Sequence, residues 1–384
     1  MRIVILFVNV GTYHAARLRA ADAAFAKEDW ELIPMQLTDN TFEHPWGDLS
    51  QVLNFPLQTI YSGSMRSSGP TAYDWTIINK RLQESLARLN PDVVFIPGWG
   101  TPAMRKAIAW CNKNNRTSIL MSETKKDDSK RNFLKEYFKK KYFLKKFDSA
   151  IVGGKPHLDY LVELGFDEDH IFTGYDVVDN DYFLTNVSRA AETTNDNPTL
   201  LTITRMMPRK NIMKLVSSYA KYREICGAKS YDLTICGEGE QRQQILEQID
   251  RLGLSDHINL PGFVSYSELP VYLANASALV HPALSEQWGL VINEACASGL
   301  PILCSSTVGA CSDLVKNDVN GYMFNPHSEE SITTAIVKFH NMSAAKKETM
   351  GQKSIELVGK LSPERFGKSA VAAVRCTLKE WHNP

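Results

Sequence analysis

The stretch Ala278–Ser306, ALVHPALSEQWGLVINEACASGLPILCSS, decides how the chain is read. A short apolar run, ALV, reads as a strand that ends at His281-Pro282, and a polar loop carrying Glu286 and Gly289 follows. From Leu290 the pattern turns helical, stops at Gly299-Leu300-Pro301, and gives way to a second strand, PILCSS. Glycine just past the last periodic residue, with proline two further on, is an ordinary helix stop. Strand, helix and strand in this order build a parallel sheet.

The chemistry follows from where two acids fall. Glu286 precedes the helix and Glu294 lies in its second turn, with seven residues between them. Both can face the mouth beyond the strand's carboxyl end, where open α/β sheets bind ligands. The N–H groups around Gly289, Leu290 and Val291 lack intrahelical acceptors, and the helix dipole adds partial positive charge there. Such a site suits a phosphate flanked by carboxylates that accept hydrogen bonds from hydroxyls, as in a nucleotide sugar. An isolated pair of glutamates would do no more than complement the dipole.

Here the spacing does not stand alone. The run from Glu286 through QWGLVIN to Glu294 and ACASGLP resembles the Glu-x7-Glu signature of family 4 retaining glycosyltransferases (glycosyl transferases group 1), whose fold is GT-B. The likeness extends over roughly 198–326; residues 1–184 share only the architecture. It implies two doubly wound, Rossmann-like α/β domains facing each other across a cleft.

Length and composition agree with two domains, since 384 residues divide into two cores of common size. With 43 basic and 43 acidic residues the chain has no nucleic-acid signature. Seven scattered cysteines without CxxC spacing argue against a disulfide framework or zinc site and fit a reducing cytoplasm. The apolar run at the start, MRIVILFVNV, is too short for a signal h-region or membrane span and reads as a first strand.

After that strand, Gly11 is expected to let the backbone turn into a helix, with His14, Arg17 and Arg19 as candidates to line the cleft. Residues 38–75 are irregular, with Trp46, Asn54 and a patch SGSMRSSGP, and could cover the acceptor side. Two further strand–helix units lead to Lys125–Lys146, KKDDSKRNFLKEYFKKKYFLKK. Its aromatic and leucine residues recur at helical spacing among lysines. Either the helix lies on an anionic membrane, each basic residue contributing about 1 kcal/mol, or its aromatic face packs on the domain. Gly174-Tyr175-Asp176 resembles, with departures, the segment family members carry before the interdomain linker. The polar run 185–197 has linker composition. The expected order is therefore a domain over 1–184, a linker over 185–197, a domain over 198–362, and a helix over 363–384 that crosses back to the first domain.

In the second domain a strand ends at Arg205 and Lys210 follows before a helix. By themselves these residues make a plain basic turn. In the family, the matching arginine and lysine grip the donor diphosphate, and Arg209 is an alternative for one role. Two fixed cations can neutralise charge on a leaving diphosphate without metal. By resemblance, Gly237-x-Gly239 is the glycine turn beside the nucleotide, Val264 touches the base, and TVGACSDLVKNDVNGYMFNP gives a turn and hairpin. Asp313 stands where a glutamate is more usual. The resemblance further implies that Glu286 binds hydroxyls of the transferred sugar and Glu294 those of the ribose, with His14 near the sugar. No cofactor or metal is expected. The partners implied are a nucleotide-sugar donor and a glycan or lipid-linked acceptor, in a cytoplasmic protein that can contact the inner face of the membrane. Rival readings are a GT-B nucleotide-sugar epimerase, a phosphorylase needing a cofactor lysine, and a non-catalytic binding protein.

Overall fold

The computed structural model describes residues 1–39, 55–62, 74–128, 131–191 and 199–381. Trp46, Asn54, most of the SGSMRSSGP patch, Lys130 and residues 192–197 lie outside the described residues. The chain divides into two units, Met1–Val178 with Leu361–Pro384, and Asp179–Lys360.

In the first unit seven parallel strands run β1 Arg2–Phe7, β2 Glu31–Thr38, β3 Gln58–Tyr61, β4 Val93–Pro97, β5 Thr117–Ser122, β6 Ser149–Val152 and β7 Ile171–Thr173. Their order is β3-β2-β1-β4-β5-β6-β7. Because successive side chains point to opposite faces, β1 feeds two cores. Val4 and Leu6 join Ile78, Leu82 and Leu86 on one face, while Ile3, Ile5 and Phe7 join Phe366, Ala370 and Val374 on the other. Fully burying a side chain such as Phe7 or Phe366 stabilises by about 2–3 kcal/mol. The closing helix Pro363–Trp381 thus completes the first unit's core, packed along the helix Thr12–Ala26.

The second unit holds β8 Thr199–Ile203, β9 Asp232–Cys236, β10 Ile258–Gly262, β11 Ala276–His281, β12 Ile302–Ser305 and β13 Gly321–Phe324. They are all parallel, in the order β10-β9-β8-β11-β12-β13. The expected hairpin after β12 is not formed: β13 pairs with β12 in parallel, and the short helix Cys311–Leu314 lies in the connection between them. Strand order reverses between β8 and β11, so the crevice of this sheet opens at the carboxyl ends of those two strands.

The polar run expected as a linker over 185–197 is helical up to Ala191, in a helix spanning Asn180–Ala191. Asp179 caps it by accepting the Tyr182 N–H at 3.0 Å, and Phe183 is buried. This helix packs on the helices Leu269–Ala274 and Leu290–Ala297. Its polar residues Thr185, Ser188 and Arg189 take the exposed side, which is why residues 185–191 have linker composition although they are helical. Cys304 and Cys311, seven positions apart, form a disulfide that scattered spacing gave no reason to expect. It arises because the turn after β12 brings Cys311 back toward the end of that strand; five other cysteines are free.

Candidate active site

Both edges of the second unit's crevice are built by chain that leaves β8 and β11. Beyond β8, the loop Thr204–Met206 is clamped against the glycine turn. Thr204 donates its N–H to Cys236 O at 2.9 Å, and Met206 donates to Glu238 O at 2.8 Å. Gly237 has φ +135°, and a Cβ there would fall 1.8 Å from Thr204 O; a Cβ on Gly239 would fall 2.3 Å from Met206 O. Only glycine fits so close an approach. The turn therefore braces the loop that presents Arg205, whose side chain is exposed.

Pro208–Lys210 forms one helical turn, and Asn211, at φ 62°, opens the helix Ile212–Cys226. Asn211 is buried and donates Nδ2 to Pro282 O at 3.1 Å and Pro326 O at 2.9 Å, while Leu284 donates its N–H to Arg209 O at 2.8 Å. These bonds tie the basic turn to the loop that leaves β11. Lys210 donates its ammonium directly to Glu286 Oε2. Arg209 reaches Glu286 Oε1 at 3.5 Å and Ser285 O at 3.4 Å. His281, at the end of β11 and 1% exposed, places Nε2 3.5 Å from Glu286 Oε2.

The electrostatics follow from this convergence. Burial works against the Glu286 carboxylate, but His281 and Lys210 outweigh it and hold the group far below the usual carboxylate range. Burial dominates for Lys210 and lowers its pKa, although Glu286 opposes the shift; the charges of Arg209 and Arg205 add to it. The two partners respond unequally for a physical reason. The carboxylate is met by several positive or donating groups, whereas the ammonium meets one anion and two further cations. Burial also keeps His281 below its ordinary value.

On the far side of the loop, Gly289 takes φ +99° and ψ +70° as the cap of the helix Leu290–Ala297, a backbone geometry that favours glycine. Ile292 donates its N–H to Gly289 O at 2.9 Å, so the first turn is tight, and the amides of Leu290 and Val291 open the helix. The loop is held by buried Trp288, which donates Nε1 to Asn293 Oδ1 at 2.8 Å, and by the Gly309 N–H donated to Glu286 O at 3.3 Å. Glu294 is 2% exposed, within the same helix. Burial, then the charges of Asp179 and Glu294, raise the pKa of Tyr182, whose ring stacks 4.7 Å from Tyr266. Val264 is half-buried just after β10.

Arg205, Lys210, Gly237, Gly239, Val264, Glu286, Gly289, Leu290, Val291 and Glu294 all lie in the second unit, and Lys210 and Glu286 are in contact. Gly11 and His14 belong to the first unit. Gly11 caps the helix at φ −115°, a conformation open to any residue, so the turn out of β1 does not require glycine there. Gly11 donates its N–H to His14 Nδ1 at 3.0 Å, and the imidazole lies 4.4 Å from the Phe7 ring. Arg17 does not line a cleft: it is 1% exposed, 3.4 Å from Asp176 and 4.5 Å over the Tyr175 ring. The roles of Arg209, His281 and Asn211 as partners of the motif were not read from the sequence. For His281 the signal was its place at the strand's carboxyl end, two residues before Ala283 turns into the loop.

In open α/β sheets ligands bind where the strand order reverses, and this cation–carboxylate cluster lies there. Residues 185–356 match the family model described as Glycosyl transferases group 1. An uncharacterized glycosyltransferase of Methanocaldococcus jannaschii is 30% identical over 151 residues, 39% of this chain and 38% of that protein. The GtfA subunit of a UDP-N-acetylglucosamine–peptide N-acetylglucosaminyltransferase from Streptococcus agalactiae is 29% identical over 147 residues, 36% of this chain and 27% of that protein. The match thus spans 38% and 27% of the length of these curated relatives. Among solved structures, Anabaena HepE in complex with UDP and glucose superimposes with a TM-score of 0.74 at 17% identity, over 98% of this chain and 100% of that one. The fold is GT-B.

Proposed function

We propose that the protein is a retaining glycosyltransferase that moves a sugar from a nucleotide-sugar donor to a glycan or lipid-linked acceptor. The observation that carries this reading is the grouping of Arg205, Arg209, Lys210 and Glu286 at the point where strand order reverses. The family-model match over residues 185–356 supports it, as do the UDP and glucose bound by HepE and the UDP-linked donor in the name of the streptococcal relative.

In this account Arg205 and Lys210 hold the diphosphate, helped by the amides of Leu290 and Val291. Gly237 and Gly239 shape the wall beside the nucleotide, Val264 meets the base, and Glu294 accepts from ribose hydroxyls. Glu286 accepts hydrogen bonds from the sugar and positions it, and His14 contacts the sugar near the leaving group. The acceptor oxygen bonds to the anomeric carbon on the face the phosphate leaves. The bond from that carbon to phosphate breaks, and a departing phosphate oxygen takes the acceptor's proton. Configuration is retained without a protein nucleophile, by positioning and charge stabilisation.

Two guanidiniums and an ammonium supply the neutralising charge, so the reaction is proposed to need neither metal nor other cofactor. Surface polysaccharide or glycolipid assembly, on the cytoplasmic side, is the setting proposed for it.

The test is to offer uridine, guanosine and adenosine diphosphate sugars in chelator and follow acceptor-dependent release of nucleoside diphosphate. One base should be turned over, and Glu286→Gln, which also leaves Lys210 without its carboxylate and so lowers stability, should lower that rate by about a hundredfold or more when assayed well below its melting temperature. Sugar consumption that ignores acceptors would point to an epimerase. Full turnover by the variant would overturn the role of Glu286.

A further inference from the structure

No step of the proposed transfer uses the basic aromatic segment of the first unit, and its side chains divide between two sides. The helix Phe133–Phe138 continues as a wider turn over Lys139–Phe143 and a tight one over Leu144–Lys146. One side is fastened to the unit. Leu144 and Phe147 are buried in its core, and Phe143 stacks on Trp99 at 5.7 Å. Lys139 donates to Glu136 at 2.9 Å and to Tyr160 at 3.1 Å, and Tyr160 donates to Glu136. Glu136 is the one acidic residue between 131 and 146, and these bonds turn it inward.

The other side is apolar and open. Leu134 is 63% exposed, Tyr137 49%, Phe138 50% and Tyr142 46%. Phe138 and Tyr142 stack at 5.5 Å, and the Lys141 ammonium lies 5.5 Å over Tyr137 and 5.4 Å over Tyr142. Lys140 and Lys145 are exposed too, but they flank a cleft lined by Leu144, Phe147 and Gly165, and Lys146 is exposed at the end of the segment. Four large apolar side chains left in water on one short segment mark an interaction surface. Residues 131–146 carry one arginine and six lysines against the single acid, in a chain whose formal net charge is zero, so positive charge is concentrated in this segment.

We propose that this outward face docks on an anionic lipid bilayer. Tyrosine and phenylalanine are side chains that settle at the boundary of headgroup and acyl chain, and lysines beside them are drawn to anionic headgroups. Among the described residues no helix is long and apolar enough to cross a membrane, so the contact lies in the interface plane. A protein partner or a second copy would bury the same aromatics but would not depend on lipid charge. Its validity does not depend on the donor or acceptor of the transfer reaction.

The full chain is sedimented with vesicles of neutral phosphatidylcholine alone and with about 30% anionic phosphatidylglycerol. It should pellet with the anionic vesicles, stay in solution with the neutral ones, and be released when salt rises about tenfold, as the Debye length shrinks. Phe138→Ser with Tyr142→Ser, and separately Lys141→Glu with Lys145→Glu, should each weaken pelleting by about tenfold or more, with unchanged melting because these side chains are exposed. No pelleting with anionic vesicles would overturn the proposal. So would equal pelleting by the variants, or a wild-type dimer that the serine variant dissociates while vesicles bind neither.

Discussion

The Lys210 ammonium pairs directly with the Glu286 carboxylate, with the two side chains 10% and 14% exposed. The pair joins chain leaving β8 to chain leaving β11, so it locks the two edges of the second unit's crevice. A diphosphate bound there meets an ammonium already neutralised by carboxylate, and donor binding must re-share that charge. The same pair has a cost when halved, since removing one partner leaves a buried charge without its match.

Lys210→Met should therefore destabilise the protein by roughly 3–5 kcal/mol, the usual penalty for breaking a buried pair. Adding Glu286→Gln to it should restore part of the loss, giving a double-mutant coupling of about 1 kcal/mol or more. Urea unfolding of the wild type, both single variants and the double measures it. Strictly additive losses would mean the contact carries no energy.

Gly237→Ala tests the brace under Arg205. The new Cβ would meet Thr204 O at 1.8 Å with φ at +135°, so the loop Thr204–Met206 must move. Stability should fall by about 2 kcal/mol or more, and affinity for nucleoside diphosphate should fall with it. Thermal melts and titration of the same sample read both. A variant that melts and binds like the wild type would show that the turn tolerates a side chain.

His281 gives the site a pH dependence of definite sign. Burial lowers its folded pKa below its ordinary value, with Glu286 opposing and Lys210 and Arg209 assisting. As pH falls below about 6.5, the unfolded chain takes a proton that the folded chain refuses, so stability declines. Above that pH the contribution is constant. His281→Asn should flatten the slope of stability against pH between about 6.5 and 5. Glu286, held far below the carboxylate range, adds slope of the same sign only as pH nears the unfolded carboxylate's value of about 4.3. An unchanged slope in the variant would place the titration elsewhere.

Much of the second unit was legible because its signals are local. Gly289 before an apolar helix, glycine and proline after it, and Glu286 in the loop all fall within one short stretch. What escaped depended on residues distant in sequence. Nothing near Lys210 says that its partner is Glu286 rather than a ligand. Residues 185–191 were read as part of a linker because the helix they belong to, Asn180–Ala191, finds its cover on helices near residues 269 and 290. Arg17 resembled a cleft cation until Tyr175 and Asp176, brought in from another strand end, buried it. The basic segment was ambiguous for a different reason: its aromatics serve both readings at once, Phe143 facing in and Phe138 facing out.

The central claim is that fixed cations of the second unit hold a nucleoside diphosphate, and calorimetry tests it most directly. Wild type and Arg205→Ala are titrated in chelator with uridine, guanosine and adenosine diphosphates; Arg205 is exposed, so its loss leaves the fold standing. The account predicts that one base binds the wild type without metal and that Arg205→Ala weakens it by about tenfold or more, the loss of one charge-assisted contact. Binding that requires metal, or equal affinity in the variant, would contradict it.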